Sequence, residues 1–120
     1  MKWQVEFHED FDPEFDALPQ DVQDEILALA GALEKIGPLL GRPRVDTLNG
    51  SCHANMKELR FDASDGVWRV AFAFDTRRKA VLLVAGDKSG VSEKRFYRRL
   101  IKKADRRFDD YLLRIKKKRI

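Results

Sequence analysis

The sequence predicts one α+β domain over residues 1–120: a small antiparallel sheet with two N-terminal helices and a long C-terminal helix, in the order β-α-α-β-β-β-α. Three observations carry this expectation. Residues 55–75, NMKELRFDASDGVWRVAFAFD, read as two strands joined by a Gly-containing turn. Residues 80–86, AVLLVAG, are continuously apolar, as a strand buried on both faces is. After Ser92, Phe96, Leu100, Ile101, Ala104, Phe108, Leu112 and Ile115 recur at helical spacing.

The remaining elements follow in order. WQVEF, residues 3–7, alternates and begins with β-formers, so it is a first strand. Asp12 reads as an N-cap with Pro13 at the first helical position, opening a short helical turn. A longer helix starts near Pro19, with Val22, Ile26, Leu29, Ala30 and Leu33 on one face, and Gly37-Pro38 stops it. LLGRPRVDTLNGS is loop material. Strands are expected over residues 55–61, 67–74 and 80–86, with turns at DASDG and DTRRK. Ser92 caps the last helix.

Alternation assigns faces. Trp68, Val70, Phe72 and Phe74 share one side of their strand and should meet the helices. Val67, Arg69, Ala71 and Ala73 share the other. In the preceding strand Lys57, Leu59 and Phe61 share a face, and Met56, Glu58 and Arg60 take the opposite one. The expected sheet is greasy on one side and open, small and cationic on the other. An Arg flanked by Ala suits a phosphate-bearing ligand, because a guanidinium matches phosphate with two parallel hydrogen bonds. An ion pair from Glu58 to Arg60 or Arg69 that merely decorates the face is the alternative.

Charge is divided along the chain. The net value of +4 hides nine acids against Lys2 in residues 1–25, and thirteen Lys or Arg against three Asp in residues 94–119. The basic end attracts polyanions or an acidic protein partner; Lys102, Lys103, Arg106 and Arg107 are a solvated face or an RNA contact. No apolar run approaches a membrane span, and MKWQVEFHED has no apolar signal core, so a cytoplasmic setting is expected. Cys52 is alone and reads as a bystander. One Cys with His8 and His53 cannot build a closed zinc site, so no metal and no cofactor are expected, and His53 reads as a solvent-facing loop residue.

The segments LGRPRVDTLNGS, NMKELRF, WRVAFAFDTRRKAVLLVAGDKSG and KRFYRRLIKKADRRFDDYL, together and at this spacing, resemble the RelE/ParE superfamily of toxins from bacterial toxin–antitoxin pairs. Within it the chain is most similar to the HigB-like branch, which includes many phage-derived proteins, and the resemblance covers about residues 2–114. It implies a compact sheet-and-helix fold, an antitoxin encoded next door, of helix-turn-helix type, and cleavage of mRNA, commonly on the ribosome, by metal-independent attack of a ribose 2′-hydroxyl. By match to the family's positions it implies catalytic roles for Arg69, Arg60, Lys88 and Tyr97. Glu58 stands where RelE itself carries a Lys, and is either the base or a residue that orients the arginines. Lys57, Arg95, Lys102 and Lys103 are the remaining candidates for RNA contact. A ParE-like gyrase inhibitor that performs no chemistry, or a phage-derived RNA-binding protein retaining only the fold, is the alternative.

Overall fold

A computed structural model describes residues 2–117. Its elements are β1 (Gln4–Phe7), α1 (Phe11–Asp16), α2 (Gln20–Ile36), β2 (Val45–Thr47), β3 (Met56–Ala63), β4 (Gly66–Phe74), β5 (Lys79–Asp87) and α3 (Glu93–Lys117). The expected α+β architecture is present. Three features differ. The stretch read as loop contains β2, which pairs antiparallel with β3. β1 is not part of the antiparallel meander but lies parallel to β5, giving the order β1-β5-β4-β3-β2. The short helix also begins earlier than Asp12, with Asp10 at the cap position.

Local chemistry explains the joints. Ser64 and Asp65 both have positive φ, 50° and 58°, as a tight two-residue hairpin turn requires, and they join β3 to β4. Ser92 caps α3: its Oγ accepts the Arg95 N–H at 3.2 Å. Pairing between β4 and β5 slips between Ala71 and Phe72, which leaves Leu83 as an extra residue on β5. Leu83 and Val84 therefore both join the α3 side of the core, whereas Leu82 belongs to the other side.

Two apolar layers sandwich the sheet. Leu59, Val70, Phe72 and Leu82 pack with Val22, Ile26 and Leu33 of α2 and with Phe11 and Phe15 of α1. Met56, Ala71, Ala73, Val81 and Leu83 pack with Phe96, Leu100, Ala104 and Phe108 of α3. The parity assignment holds, since Val70, Phe72 and Phe74 lie opposite Ala71 and Ala73. The expectation of an open second face does not. The small residues there admit α3, whose apolar stripe needs a surface to bury against.

Gly86 sets how closely α3 approaches. A Cβ on it would lie 2.9 Å from Phe96 Cε1. Gly86→Ala is expected to push the first turn of α3 outward and destabilise the fold by about 1–3 kcal/mol. A lowered denaturant midpoint with unchanged slope is the readout.

Candidate active site

The charges of the central hairpin converge where α3 begins. Arg60 and Arg69 are direct cross-strand partners on β3 and β4, and Glu58 lies two residues along the same face. Two guanidinium groups side by side repel. Glu58 resolves this. Its Oε2 accepts from Arg60 Nη1 at 3.0 Å, and its Oε1 lies 3.8 Å from Arg69 Nε. Tyr97, from the second turn of α3, closes the network: its hydroxyl donates to Glu58 Oε1 at 2.8 Å and accepts from Arg69 Nε at 3.2 Å. Arg69 Nη1 also donates to the Trp68 carbonyl at 2.8 Å.

Burial corrects the reading of these charges as groups on an exposed face. Glu58 is 3% exposed and Arg69 5%. Arg60 remains partly open, and so does Tyr97. Burial, and then the hydrogen bond to Glu58, raise the Tyr97 hydroxyl above the usual tyrosine value. The outer wall of the network is a cleft of about 280 Å³ lined by Asp46, Thr47, Leu48, Asn49, Glu58 and Tyr97. Thr47 and Asn49 were invisible as site residues in the sequence, because the short strand that presents Thr47 was read as loop.

Lys88 follows β5 at the same end of the sheet. Its ammonium lies 5.9 Å from the centre of the Tyr97 ring and bonds Glu93 Oε1 at 2.9 Å. That bond from Lys88, with the added charges of Lys88, Arg69 and Arg60, lowers the Glu93 carboxyl below its usual range. Glu93 is thus a counter-ion at the mouth of the site that the sequence pattern did not single out.

The candidates for RNA contact separate from this cluster. Lys57 pairs across strands with Phe72 and so lies on the α2 side of the sheet, away from Glu58 and Arg69. Arg95 and Lys102 are exposed on α3. Lys103 lines a different cleft, of about 230 Å³, with Val84, Gly86, Phe96 and Arg99. Arg107 is no RNA contact: it is 6% exposed, donates to both carboxylate oxygens of Glu14 at 2.9 and 2.6 Å, and caps the Leu83 carbonyl at 2.7 Å. The bulge leaves Leu83 out of register with β4, which explains why its carbonyl turns to a side chain. Arg114 bonds Glu9 in the same way, so the acidic N-terminal segment neutralises part of the basic helix within the molecule. His53 is not a free loop residue either, since its Nε2 lies 2.7 Å from Asp109 Oδ1 and its ring meets Phe108 edge-on.

A profile described as phage-derived protein Gp49-like matches residues 13–109, from α1 through most of α3. The chain belongs to the Gp49-like family. Among its relatives are two proteins of Mycobacterium tuberculosis (strain ATCC 25618 / H37Rv). "Putative toxin HigB3" is 45% identical over 98 residues, covering 82% of this chain and 83% of the relative. "Putative toxin HigB2" is 43% identical over 97 residues, covering 79% of this chain but 47% of the relative, so the chain spans about half of that protein's length. The Gp49-like chain also shares its fold with the free state of an E. coli toxin RelE double mutant, at a TM-score of 0.61 and 13% identity, covering 84% of this chain and 95% of that one. HigB-like relatives and a RelE-like fold are what the combined strand and helix motifs imply. No helix among the described residues is long and apolar enough to cross a membrane.

Proposed function

We propose that this chain is the toxin of a toxin–antitoxin pair and cleaves mRNA as an endoribonuclease. The observation that carries the reading is the Tyr97 hydroxyl, held between Glu58 and Arg69 on the wall of a cleft. Glu58 is the terminal proton acceptor and Tyr97 the relay. As the ribose 2′-oxygen bonds to phosphorus, its proton passes to the Tyr97 oxygen while the tyrosine's own proton moves to Glu58. Arg60 and Arg69 hold the charge that gathers on the phosphorane. The bond to the 5′-oxygen breaks, Lys88 protonates that oxygen, and a 2′,3′-cyclic phosphate remains. In this proposal protein side chains fill each proton-transfer and charge-stabilising role, and the chemistry is metal-independent.

The relatives named as toxins, and the fold shared with a RelE toxin, support the toxin role. A neighbouring antitoxin of helix-turn-helix type, acidic or apolar where it meets the α3 surface, is the expected partner. The cytoplasm is the compartment where both occur.

The test is inducible expression of the parental chain and of Tyr97→Phe, with mapping of RNA 5′ ends. Codon-phased cleavage by the parental chain, reduced about 10²-fold or more in Tyr97→Phe, is expected for loss of a proton-transfer group. Absence of cleavage by the parental chain, with gyrase trapped on DNA instead, overturns the reading in favour of inhibition without chemistry.

A further inference from the structure

The loop between β2 and β3 carries a cluster that the catalytic reading does not use. Donor atoms of Cys52, His53 and Asp105 all lie within 4.8 Å of one another. Two come from adjacent loop residues and the third from α3, so the sequence separates them by more than fifty positions. The pattern of one Cys and two His conceals this grouping, because the carboxylate that completes it sits far along the chain.

The groups behind these three are arranged as the outer partners of a metal site are. Asp109 Oδ1 lies 2.7 Å from His53 Nε2, which fixes the ring and leaves Nδ1 for ligation. A carboxylate on the far nitrogen of a histidine is the usual support of a metal-bound imidazole. Ser51 Oγ donates to Asp105 Oδ1 at 2.5 Å and orients that carboxylate. Cys52 is exposed, so its sulfur is open to an incoming ion. By contrast, the Glu58 network contains no soft donor.

We propose that Cys52, His53 and Asp105 form a binding site for a zinc-class divalent ion, with Asp109 and Ser51 as its outer partners. One thiolate, one imidazole and one carboxylate are the donor set of a borderline-soft ion that accepts four-coordinate geometry. Three protein ligands leave one position for water. The thiolate and the carboxylate balance the charge of the ion. The site clamps the loop onto α3. That loop continues from Leu48 and Asn49, which line the cleft beside Tyr97. The proposal does not depend on the nuclease reading, since binding is read without any activity.

The experiment uses the metal-stripped full chain with Zn²⁺ by calorimetry and Co²⁺ by absorption. Saturable one-to-one binding, a thiolate-to-cobalt charge-transfer band and tetrahedral cobalt bands are expected. At about a hundredfold excess of zinc over its dissociation constant the unfolding midpoint should rise by roughly 8–16 °C. Cys52→Ser keeps the exposed backbone and the Asp105 contact to its N–H, so it should fold; it should lose the charge-transfer band and most of the affinity. Asp109→Asn should weaken binding by about 10–100-fold, the usual cost of losing an outer partner. Absence of a thiolate band, or equal zinc affinity in the parental chain and Cys52→Ser, overturns the proposal.

Discussion

Arg69→Ala is expected to abolish mRNA cleavage and to weaken the fold as well. An exposed arginine would lose only its activity. Here the side chain is 5% exposed and its partner Glu58 is 3% exposed. Removing it leaves the Tyr97 hydroxyl without a donor and Glu58 with Arg60 as its remaining cation. Breaking a buried pair from one side costs about 3–5 kcal/mol, and the retained Arg60 places this variant near the lower end. Stability and chemistry can still be separated. The double variant Glu58→Leu/Arg69→Met replaces both charges with apolar groups, which is often nearly neutral for the fold. It should recover much of the lost denaturant midpoint and none of the cleavage. Arg69→Lys should recover little of either, since an ammonium cannot reproduce the Nε contact to Tyr97 and the Nη1 contact to Trp68 together. A stable, folded Arg69→Ala protein that cleaves at the parental rate would refute the assignment.

Lys88→Ala should give a large loss of cleavage at a small structural cost. Lys88 follows β5, its ammonium is partly open to solvent, and its partner Glu93 is exposed. Surface pairs of this kind contribute at most about 1 kcal/mol. The rate should fall by about 10²–10⁴, the range for removing a positioned proton donor. Circular dichroism and the unfolding midpoint should stay near parental. A Lys88→Arg protein keeps the charge but donates its proton poorly, so a slow yet RNA-binding variant is expected. Equal cleavage by Lys88→Ala and the parental chain, mapped by RNA 5′ ends, would remove Lys88 from the mechanism. Glu93→Gln offers the converse comparison: freed of its counter-ion, Lys88 should bind RNA more tightly, seen as a lower KM.

Much of this architecture was legible in residue alternation. Trp68, Val70, Phe72 and Phe74 against Arg69, Ala71 and Ala73 fix the two sides of β4 without any structure, and the same parity places Glu58 and Arg60 beside Arg69. The misreading arose from what small residues mean. Ala71 and Ala73 read in sequence as room for a ligand, whereas they are room for a helix. The signal that could have told the two apart was present: the stripe Phe96, Leu100, Ala104, Phe108 needed a sheet face, and α2 already claimed the other. Burial of Glu58 and Arg69 follows from the same missed layer. β2 escaped because three residues among Gly, Pro and Asn carry no measurable period, and its pairing is supplied by β3. The parallel seat of β1 was equally hidden, since strand direction depends on how the chain returns and not on local pattern. Arg107 looked like one more cation in a basic run. Only the extra residue in β5, which turns the Leu83 carbonyl toward α3, gives it a buried acceptor.

That extra residue makes β5 a strand read in two frames. Before Leu83, one set of alternate positions faces α3; after it, the opposite set does. A deletion of one residue at the slip would keep composition, hydropathy and strand length almost intact. It would also merge the two frames into one regular ladder with Gly86 still opposite Arg69, and take the Leu83 carbonyl away from Arg107. Natural variation here should therefore follow a rule of phase. Substitutions at Leu83 will be tolerated by size, and loss of the one extra residue will cost stability through Arg107 before it costs the site.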